Sequence, residues 1–371
     1  MAGIKKLKRL LFIFYALTLL LAGWQRSWAD ASTNRVFVSL VGATPTLVAG
    51  VTNNGQIRLT LTGESGVRYV VESSPDLSHW SPVATNNDNT SRRILNLSAP
   101  AAVNFYRATR DALPLFTYAL AAQGNISMNG NGLVTDSWNS RDPAQSTNGL
   151  YNNYHGTHGS VASAAGIVSI SNHTINGSLY LGTNAFFVYS PLQVTGQIYP
   201  DYDVWIPDVV LPKVNWLSAP GNGTSHDFTT NGYYTVNDSA NIIVEPNVRA
   251  ILQVTASNFS PASTTIKGGT TNSGTLVVYL NQGTMTLNGG AINNRPENFI
   301  ILGLPGLTNI SLVFGNAQFF GVVYAPEANM IVSGGGNGLG IYGSCIVNSL
   351  NFNGHYIFHF DEGLLSSGPV R

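Results

Sequence analysis

Three short stretches of this 371-residue sequence carry residue types that could do chemistry. The first holds Asp136, Arg141 and Asp142 in the run Asp-Ser-Trp-Asn-Ser-Arg-Asp, with Trp138 between them. Two carboxylates, a guanidinium and an indole ring could bind a ligand there. We favour a different interpretation, in which the carboxylates accept hydrogen bonds from backbone N–H groups at a chain corner and pair with Arg141.

The second stretch, residues 199–208, is rich in aromatic and acidic residues. Carboxylate oxygens are the ligands that Ca²⁺ prefers, but the spacing lacks the twelve-residue loop of an EF-hand. We therefore favour a solvated, extended crossover, with a calcium site as the alternative. The candidate calcium ligands are Asp201, Asp203 and Asp208, and the candidate binding residues between them are Tyr202 and Trp205.

The third stretch holds His359, Asp361 and Glu362 near the C-terminus. On a strand, His359 and Asp361 point to the same side, so a histidine–carboxylate pair is possible. We favour a structural cap on the last coil over an acid–base dyad. His155 and His158, three residues apart in a Gly-rich loop, are too few ligands to predict a zinc site.

The composition restricts the classes of function. The chain has 18 basic and 18 acidic residues, a net charge of zero, and a charged fraction of 10%. This balance argues against a nucleic-acid-binding protein. The sequence has no Gly-x-Ser-x-Gly elbow, phosphate-binding loop or paired metal motif. We therefore favour a protein without enzymatic activity and without a cofactor.

The N-terminal segment, residues 1–29, has the features of a secretory signal peptide. Four basic residues among positions 5–9 precede an apolar run from Leu10 to Ala22, and small residues before positions 30 and 32 suit cleavage. The apolar run is too short for a spanning helix, which needs about 20 residues. Removal of residues 1–29 leaves a net charge of −5, carried mainly by residues 114–371.

The single cysteine, Cys345, cannot form a disulfide within the chain. It lies in the apolar run Ile-Tyr-Gly-Ser-Cys-Ile-Val without a cationic neighbour, so we predict a buried structural thiol.

Short alternating apolar runs bounded by Gly, Asn, Ser, Thr and Pro predict an almost entirely β protein. Residues 30–111 predict a small antiparallel β-sandwich, and residues 112–115 predict a linker. The candidate strands are Val36 to Val41, Gln56 to Thr62, Arg68 to Glu72, Trp80 to Ala84, Arg93 to Leu97 and Asn104 to Ala108.

Residues 116–365 contain short apolar segments that end in Asn-Gly, Ser-Gly or Gly-Gly. In the second half these segments recur at a spacing of roughly 20 residues, and such a period indicates one coil of a parallel β-helix, or β-solenoid, per repeat. Gly and Asn suit its corners, and stacked coils disfavour columns of charge. An antiparallel hairpin sandwich is the alternative. Residues 366–371 predict a tail.

Two resemblances support this organisation. The segment Ser-Ser-Pro-Asp-Leu-Ser-His-Trp that ends at Trp80, followed by Phe-Tyr-Arg at residues 105–107, resembles a fibronectin- or immunoglobulin-like module of secreted bacterial proteins. That resemblance implies that Trp80 and Tyr106 anchor the core. The Asp-Ser-Trp motif at residue 136, Tyr-Ala-Pro at residues 324–326 and His-Phe-Asp-Glu at residues 359–362 resemble a solenoid family of exported, pilus-assembly-like bacterial proteins. That family implies no catalytic activity.

We therefore expect a secreted or cell-envelope protein with a non-enzymatic structural or adhesive role. The expected partners are extracellular glycans or surface proteins, with no nucleic acid and no transmembrane segment in the mature chain. The alternative is a carbohydrate-binding or carbohydrate-active β-helix that uses exposed aromatic rings. The candidate rings are Trp138, Tyr151, Tyr154, Tyr202, Trp205 and Trp216.

Overall fold

A computed structural model describes most of the chain after residue 45. The described residues are 36, 46–52, 56–62, 69–86, 92–97, 104–110, 114–128, 134–170, 173–188, 191–200, 204, 206–221, 223–281, 283–288, 295–314, 318–334, 339–353 and 356–369. The predicted signal peptide and most of the candidate strand from Val36 to Val41 lie outside them. Within these ranges, no helix is both long and apolar enough to cross a membrane.

The N-terminal part forms two three-stranded antiparallel sheets, as predicted for a sandwich. Their order is β1-β2-β5 and β4-β3-β6, and side chains from both sheets pack around Leu59, Leu61, Tyr69 and Val71. The first strand was not among the candidates, because its only large apolar residues are two valines and a leucine. The strands are β1 (Thr46–Val51), β2 (Ile57–Thr62), β3 (Tyr69–Ser74), β4 (Ser81–Asn86), β5 (Arg92–Leu97) and β6 (Phe105–Arg110).

The Ser-Pro-Asp-Leu-Ser-His-Trp segment forms the turn between β3 and β4. Asp76 accepts hydrogen bonds from the backbone N–H groups of His79 and Ser78, which hold the pKa of its carboxyl well below the usual range. Tyr106 packs against the core of the two sheets, but Trp80 does not. The Trp80 ring is half-buried and lies 4.1 Å from the Arg107 guanidinium carbon, so it is a cation–π partner rather than a core anchor.

The C-terminal part is built almost entirely from parallel strands. The strands before residue 200 are β7 (Leu120–Ala122), β8 (Ile126–Met128), β9 (Val134–Trp138), β10 (Ser146–Thr147), β11 (Leu150–Tyr151), β12 (Val161–Ser163), β13 (Ile167–Ser169), β14 (Thr174–Ile175), β15 (Leu179–Leu181), β16 (Phe186–Phe187) and β17 (Ile198–Tyr199). A 3₁₀ helix, Pro191–Gln193, precedes β17.

The strands after residue 200 are β18 (Leu217–Ser218), β19 (Ser225–Phe228), β20 (Gly232–Val236), β21 (Asn241–Val244), β22 (Arg249–Val254), β23 (Asn258–Phe259), β24 (Thr264–Ile266), β25 (Thr275–Leu280), β26 (Gly283–Asn288), β27 (Phe299–Gly303), β28 (Leu307–Phe314), β29 (Phe319–Gly334), β30 (Leu339–Asn353) and β31 (Tyr356–Asp361). A second 3₁₀ helix (Pro296–Asn298) precedes β27, and a short helix α1 (Leu364–Ser367) follows β31.

These strands stack as the coils of a β-helix, as predicted. Leu252 on β22 pairs in parallel with Tyr234 on the coil before it and with Val278 on the coil after it. Val323 on β29 pairs in the same way with Cys345 on β30. Cys345 is fully buried, and burial raises the pKa of its thiol, as expected for a structural cysteine. The parallel register excludes the hairpin sandwich for this part of the chain.

The coils do not stack in chain order. The last coil pairs with the first: Cys345 lies beside Leu120, and His359 lies beside Asp136. From the first coil, the chain builds outward to β17, and after a crossover between β17 and β18 it returns from β18 through β31. β31 therefore lies between β30 and β9 rather than at an end of the stack. The residues predicted to cap the last coil, His359, Asp361 and Glu362, therefore lie where that coil meets the first one, and their capping role stays a prediction.

The first coil also meets the C-terminal segment. The backbone N–H of Leu115 donates to the carbonyl of Pro369, and both residues are buried. Leu115 belongs to the predicted linker and Pro369 to the predicted tail, so both segments contribute to the packing of the β-helix.

The crossover covers the outer side of one sheet. Tyr279, Leu302, Tyr324 and Ile346 occupy successive strands at one register, on the side opposite the interior, yet all are buried. Residue 204 and residues 206–216, together called the strap here, supply the cover. Tyr324 donates its hydroxyl to the carbonyl of Pro207 at 2.7 Å, and the Trp216 ring lies 6.3 Å from the Tyr279 ring.

Candidate functional site

A second set of outward side chains forms a polar and aromatic column. Phe320, Tyr342, His359 and Asp136 occupy the same register on β29, β30, β31 and β9. The rings of Phe320 and Tyr342 stack at 4.2 Å, and those of Tyr342 and His359 stack at 4.7 Å. Parallel pairing thus places a buried carboxylate at the end of a stack of three rings.

Residues 139–158, called the cover loop here, fold over this column. They include the β10–β11 hairpin, and the Tyr151 ring lies 4.0 Å from the His359 ring and 5.7 Å from the Trp138 ring. Burial, followed by the charge of Asp136, raises the pKa of the Tyr151 hydroxyl. The cover loop leaves Asp136 and Trp138 completely buried and His359 almost so.

Two glycines let the cover loop return to β9 at close range. Gly156 and Ser137 exchange backbone hydrogen bonds as an antiparallel bridge. A Cβ at Gly156 would lie 2.5 Å from Ser137 Oγ, and one at Gly159 would lie 2.7 Å from the backbone N and O of Asp136. Because real Cβ atoms do not approach so closely, only glycine fits these positions without a shift of the backbone.

Asp136 joins the column to the cover loop. Its Oδ1 lies 2.5 Å from His359 Nδ1, and its Oδ2 contacts His155 Nδ1. His155 is 58% exposed at its side chain, whereas Asp136 is fully buried. The three ligand atoms lie within 4.8 Å of one another. Two ring nitrogens and a carboxylate oxygen are a donor set suited to a transition metal, and they also form a hydrogen-bonded triad without one.

A second histidine–carboxylate pair lies beside the first. His158 Nδ1 lies 3.0 Å from Glu362 Oε1, which also accepts a 2.7 Å hydrogen bond from Ser137 Oγ. Asp361 Oδ1 accepts the backbone N–H groups of Ser140 and Gly363. Burial raises the pKa of Asp361 to about 6. Asp361 and Glu362 therefore fasten the two ends of the cover loop to the end of β31.

The three residues of the first predicted cluster, Asp136, Arg141 and Asp142, contact different partners. Asp142 accepts the backbone N–H of Ala144, as expected for a corner residue. Asp136 binds histidines instead of backbone groups, and Arg141 pairs with Glu297 rather than with either aspartate. The expected pairing of the carboxylates with Arg141 is therefore wrong, because Arg141 points out of the loop toward residues 295–298.

Arg141 lines a cleft of about 560 Å³ beside α1. Arg295 and Glu297 lie on the same wall, and burial followed by the charge of Arg141 lowers the pKa of Arg295. The remaining lining is rich in hydroxyl groups from Thr270, Thr271, Ser273, Thr275, Ser366 and Ser367. The cleft thus combines two guanidinium groups and several hydroxyls with one carboxylate, that of Glu297, which already pairs with Arg141.

The second predicted cluster lies mostly outside the described residues. Asp201, Tyr202, Asp203 and Trp205 are among those not described. Asp208 is a half-buried residue of the strap, and burial together with the nearby Glu327 raises its pKa. The predicted calcium site thus stays a prediction.

The aromatic residues proposed for sugar stacking are mostly covered where they are described. Trp138 is fully buried and cannot contact a ligand in this structure, and Tyr151 and Trp216 are half-buried. Tyr154 is 40% exposed. A different pair, Tyr180 and Tyr199, stacks at 4.9 Å on the outer side of the sheet. No single exposed row of the predicted rings forms in the part of the chain described.

The sequence interpretation missed the convergence of Asp136, His155 and His359. Each residue was singled out, but His155 was set aside because no further ligands were near it in sequence. The signal that connects Asp136 to His359 is the pairing of the last coil with the first, over 223 residues. A regular repeat of short coils does not predict that pairing.

Comparisons with known proteins find a similarity over only part of the chain. The profile of a family described as a domain of unknown function, DUF7305, matches residues 222–366. This range covers the β-helix coils from β19 to β31, including His359, but not Asp136 or His155. No curated protein and no solved structure matches the chain. The resemblances to fibronectin-like and pilus-assembly-like proteins therefore stay predictions.

Proposed function

We propose that this chain is a non-enzymatic structural or adhesion protein of the cell surface, with its β-helix serving as a rigid scaffold. The observation that carries the proposal is the continuous apolar core. One cluster of buried side chains extends from the first coil through every described coil to α1. Backbone pairing between coils resists local opening, because each strand loses partners on both sides when it separates.

The placement of the polar groups supports the same proposal. Asp142, Asp361 and Glu362 accept hydrogen bonds that tie loops to strands, which is a structural role. The low charge of the sequence also suits stacked coils, in which like charges would repel one another. The proposed location outside the cytoplasm is based on the predicted signal peptide.

Fractionation of cells that produce the full-length chain tests the location. We expect the protein in the envelope or medium, and mass spectrometry of its N-terminus should locate the cut before residue 30 or 32. An uncleaved chain in the cytoplasm would contradict export. Release of reducing sugars from a panel of polysaccharides would contradict a non-enzymatic role.

A second candidate function, binding of acidic glycans, is favoured by the cleft at Arg141. Its guanidinium groups and hydroxyls can donate to carboxylate or sulfate groups and sugar hydroxyls, with the acidic group of the glycan taking the place of Glu297 as the partner of Arg141. On an array of neutral, uronate-containing and sulfated glycans, we expect binding to the acidic members only. Arg141→Gln should weaken that binding about tenfold or more, the loss of one charge-assisted hydrogen bond.

The matched control is Lys213→Gln, which removes an exposed positive charge outside the cleft. If both variants weaken binding equally, the glycans respond to total charge rather than to the cleft. If no glycan binds, the scaffold proposal stands without this second function.

A further inference from the structure

The contacts of Asp136 define a compact group of three ligands from distant parts of the chain. Asp136 lies on β9, His155 on the cover loop and His359 on β31. Backbone pairing places His359 directly beside Asp136, so two of the three ligands are positioned by the sheet itself. Only His155 depends on the conformation of a loop.

We propose that Asp136, His155 and His359 bind a divalent transition-metal ion of the zinc class. Two imidazole nitrogens and one carboxylate oxygen are the protein ligands of many open zinc sites, in which solvent or substrate completes the coordination. Calcium and magnesium require mainly oxygen ligands and are not the expected ions. The site is independent of the scaffold role and of the acidic-glycan cleft.

The burial of the three groups suits this assignment. Asp136 is completely buried, and its ion-pair partners in the described ranges are the two histidines. A buried carboxylate needs compensation of its charge, and a divalent ion supplies it directly. His155 is more than half exposed, so an ion can reach the carboxylate from solvent along this ring.

Neighbouring rings hold the ligands in place. Tyr342 stacks on His359 from one side, and Tyr151 lies against His359 at 4.0 Å from another direction. The Tyr151 ring also lies 6.1 Å from the His155 ring. Groups that orient metal ligands raise affinity because the ligands lose little freedom on binding. Bound metal would cross-link the cover loop to the first and last coils.

The same contacts also fit a hydrogen-bonded triad without metal, and the experiment separates the two. The full-length chain is treated with EDTA, dialysed and titrated with Zn²⁺ by isothermal titration calorimetry. His155→Gln is the test variant, because His155 is exposed and its replacement should not disturb folding. His158→Gln is the matched control, since His158 is an exposed histidine on the same loop that faces Glu362 instead.

We expect one Zn²⁺ per chain at this site, a loss of affinity of at least about tenfold in His155→Gln, and unchanged affinity in His158→Gln. Zn²⁺ should raise the melting temperature of the original chain and of His158→Gln more than that of His155→Gln. Circular dichroism checks that both variants keep the β fold.

Absence of Zn²⁺ binding by the folded original chain would overturn the proposal. Equal affinity in the original chain and His155→Gln would do the same and would leave Asp136 as a hydrogen-bonded clamp. Equal losses in the two histidine variants would show that zinc binds surface histidines without using the buried carboxylate.

Discussion

The two long excursions of the β-helix cover the outer sides of its sheets in opposite ways. The strap, residues 204 and 206–216, adds apolar side chains such as Val209 to the core, and the Tyr324 hydroxyl donates to its Pro207 carbonyl. The cover loop at residues 139–158 covers a column that ends in His359 and Asp136. The strap therefore extends the apolar core, whereas the cover loop encloses polar groups.

The difference matters because apolar and polar covers obey different rules. Apolar burial is proportional to area and tolerates many arrangements. Buried polar groups need partners at fixed distances and directions, or their burial costs free energy. A buried carboxylate that pairs with one histidine from the sheet and one from the cover loop is therefore a specific arrangement, and a binding site requires such an arrangement of polar groups.

The largest expected loss of stability comes from a substitution at Tyr324, which faces the strap. Tyr324→Ala should lower the free energy of unfolding by about 3–5 kcal/mol, because it removes a fully buried aromatic ring between the sheet and the strap. Chemical denaturation measures this change. The control Tyr180→Ala, at a half-exposed position on the same outer side, should cost about 1 kcal/mol. Equal losses would show that the strap contributes no burial.

The next largest expected loss of stability comes from a substitution where the chain leaves the cover loop and packs closely against β9. Gly159→Ala should destabilise the protein by about 1–3 kcal/mol, because the new Cβ would overlap the backbone of Asp136. Hydrogen exchange should speed up in residues 139–158 more than in the strap. Gly269→Ala, whose Cβ would meet its nearest neighbour at 3.6 Å, should change stability by less than about 0.5 kcal/mol. Unaltered exchange in Gly159→Ala would mean that the loop adjusts freely.

A smaller loss of stability isolates the hydrogen bond of Tyr324 to the strap. Tyr324→Phe keeps the ring but removes the hydroxyl that donates to Pro207, and should cost about 1 kcal/mol. The difference between this loss and that of Tyr324→Ala measures the apolar part of the strap contact. If Tyr324→Phe costs as much as Tyr324→Ala, the strap is held by polar contact and the comparison of the two covers fails.

The smallest expected loss of stability is at Asp238. This residue pairs with His226 away from the strap and the cover loop, and it is more exposed than Asp136. The backbone N–H of Ala240, and then His226, lower the pKa of Asp238. A lowered carboxyl pKa stabilises the fold above the ordinary value of 3.8, and this stabilisation is lost as the pH falls through the folded-state pKa.

Because Asp238 is 39% exposed, Asp238→Asn should cost only about 0.5 kcal/mol at pH 7. The loss should shrink when denaturation is measured near pH 3. A loss that stays the same at both pH values would show that the charge of Asp238 does not matter, which would weaken the contrast with the buried carboxylate of Asp136.

Much of the architecture could be predicted from local patterns. Alternating runs such as Arg249–Val254 identify strands because their side chains alternate between the two sides of a sheet. Repeated Asn-Gly and Gly-Gly corners at a near-constant spacing indicate coils. Burial of Cys345 follows from its apolar neighbours. These properties depend on residues close together in sequence, so a single sequence was enough to predict them.

The candidate site could be predicted only in pieces. His155 and His158 lie three residues apart in one Gly-rich loop. Nothing local distinguishes the histidine that reaches Asp136 from the one that reaches Glu362. Trp138 is typical of a sugar-binding ring by sequence, yet the cover loop buries it. In each case the deciding neighbour is remote along the chain.

By itself, the sequence determined that this is an all-β chain with a small sandwich followed by a β-helix, because strand alternation and corner residues act over a few positions. The tertiary structure decided which coils are neighbours. By pairing β31 with β9 it placed His359 beside Asp136, and by folding the cover loop back on Gly156 and Gly159 it added His155. These contacts depend on backbone pairing and close packing between segments up to 223 residues apart, which local patterns do not encode.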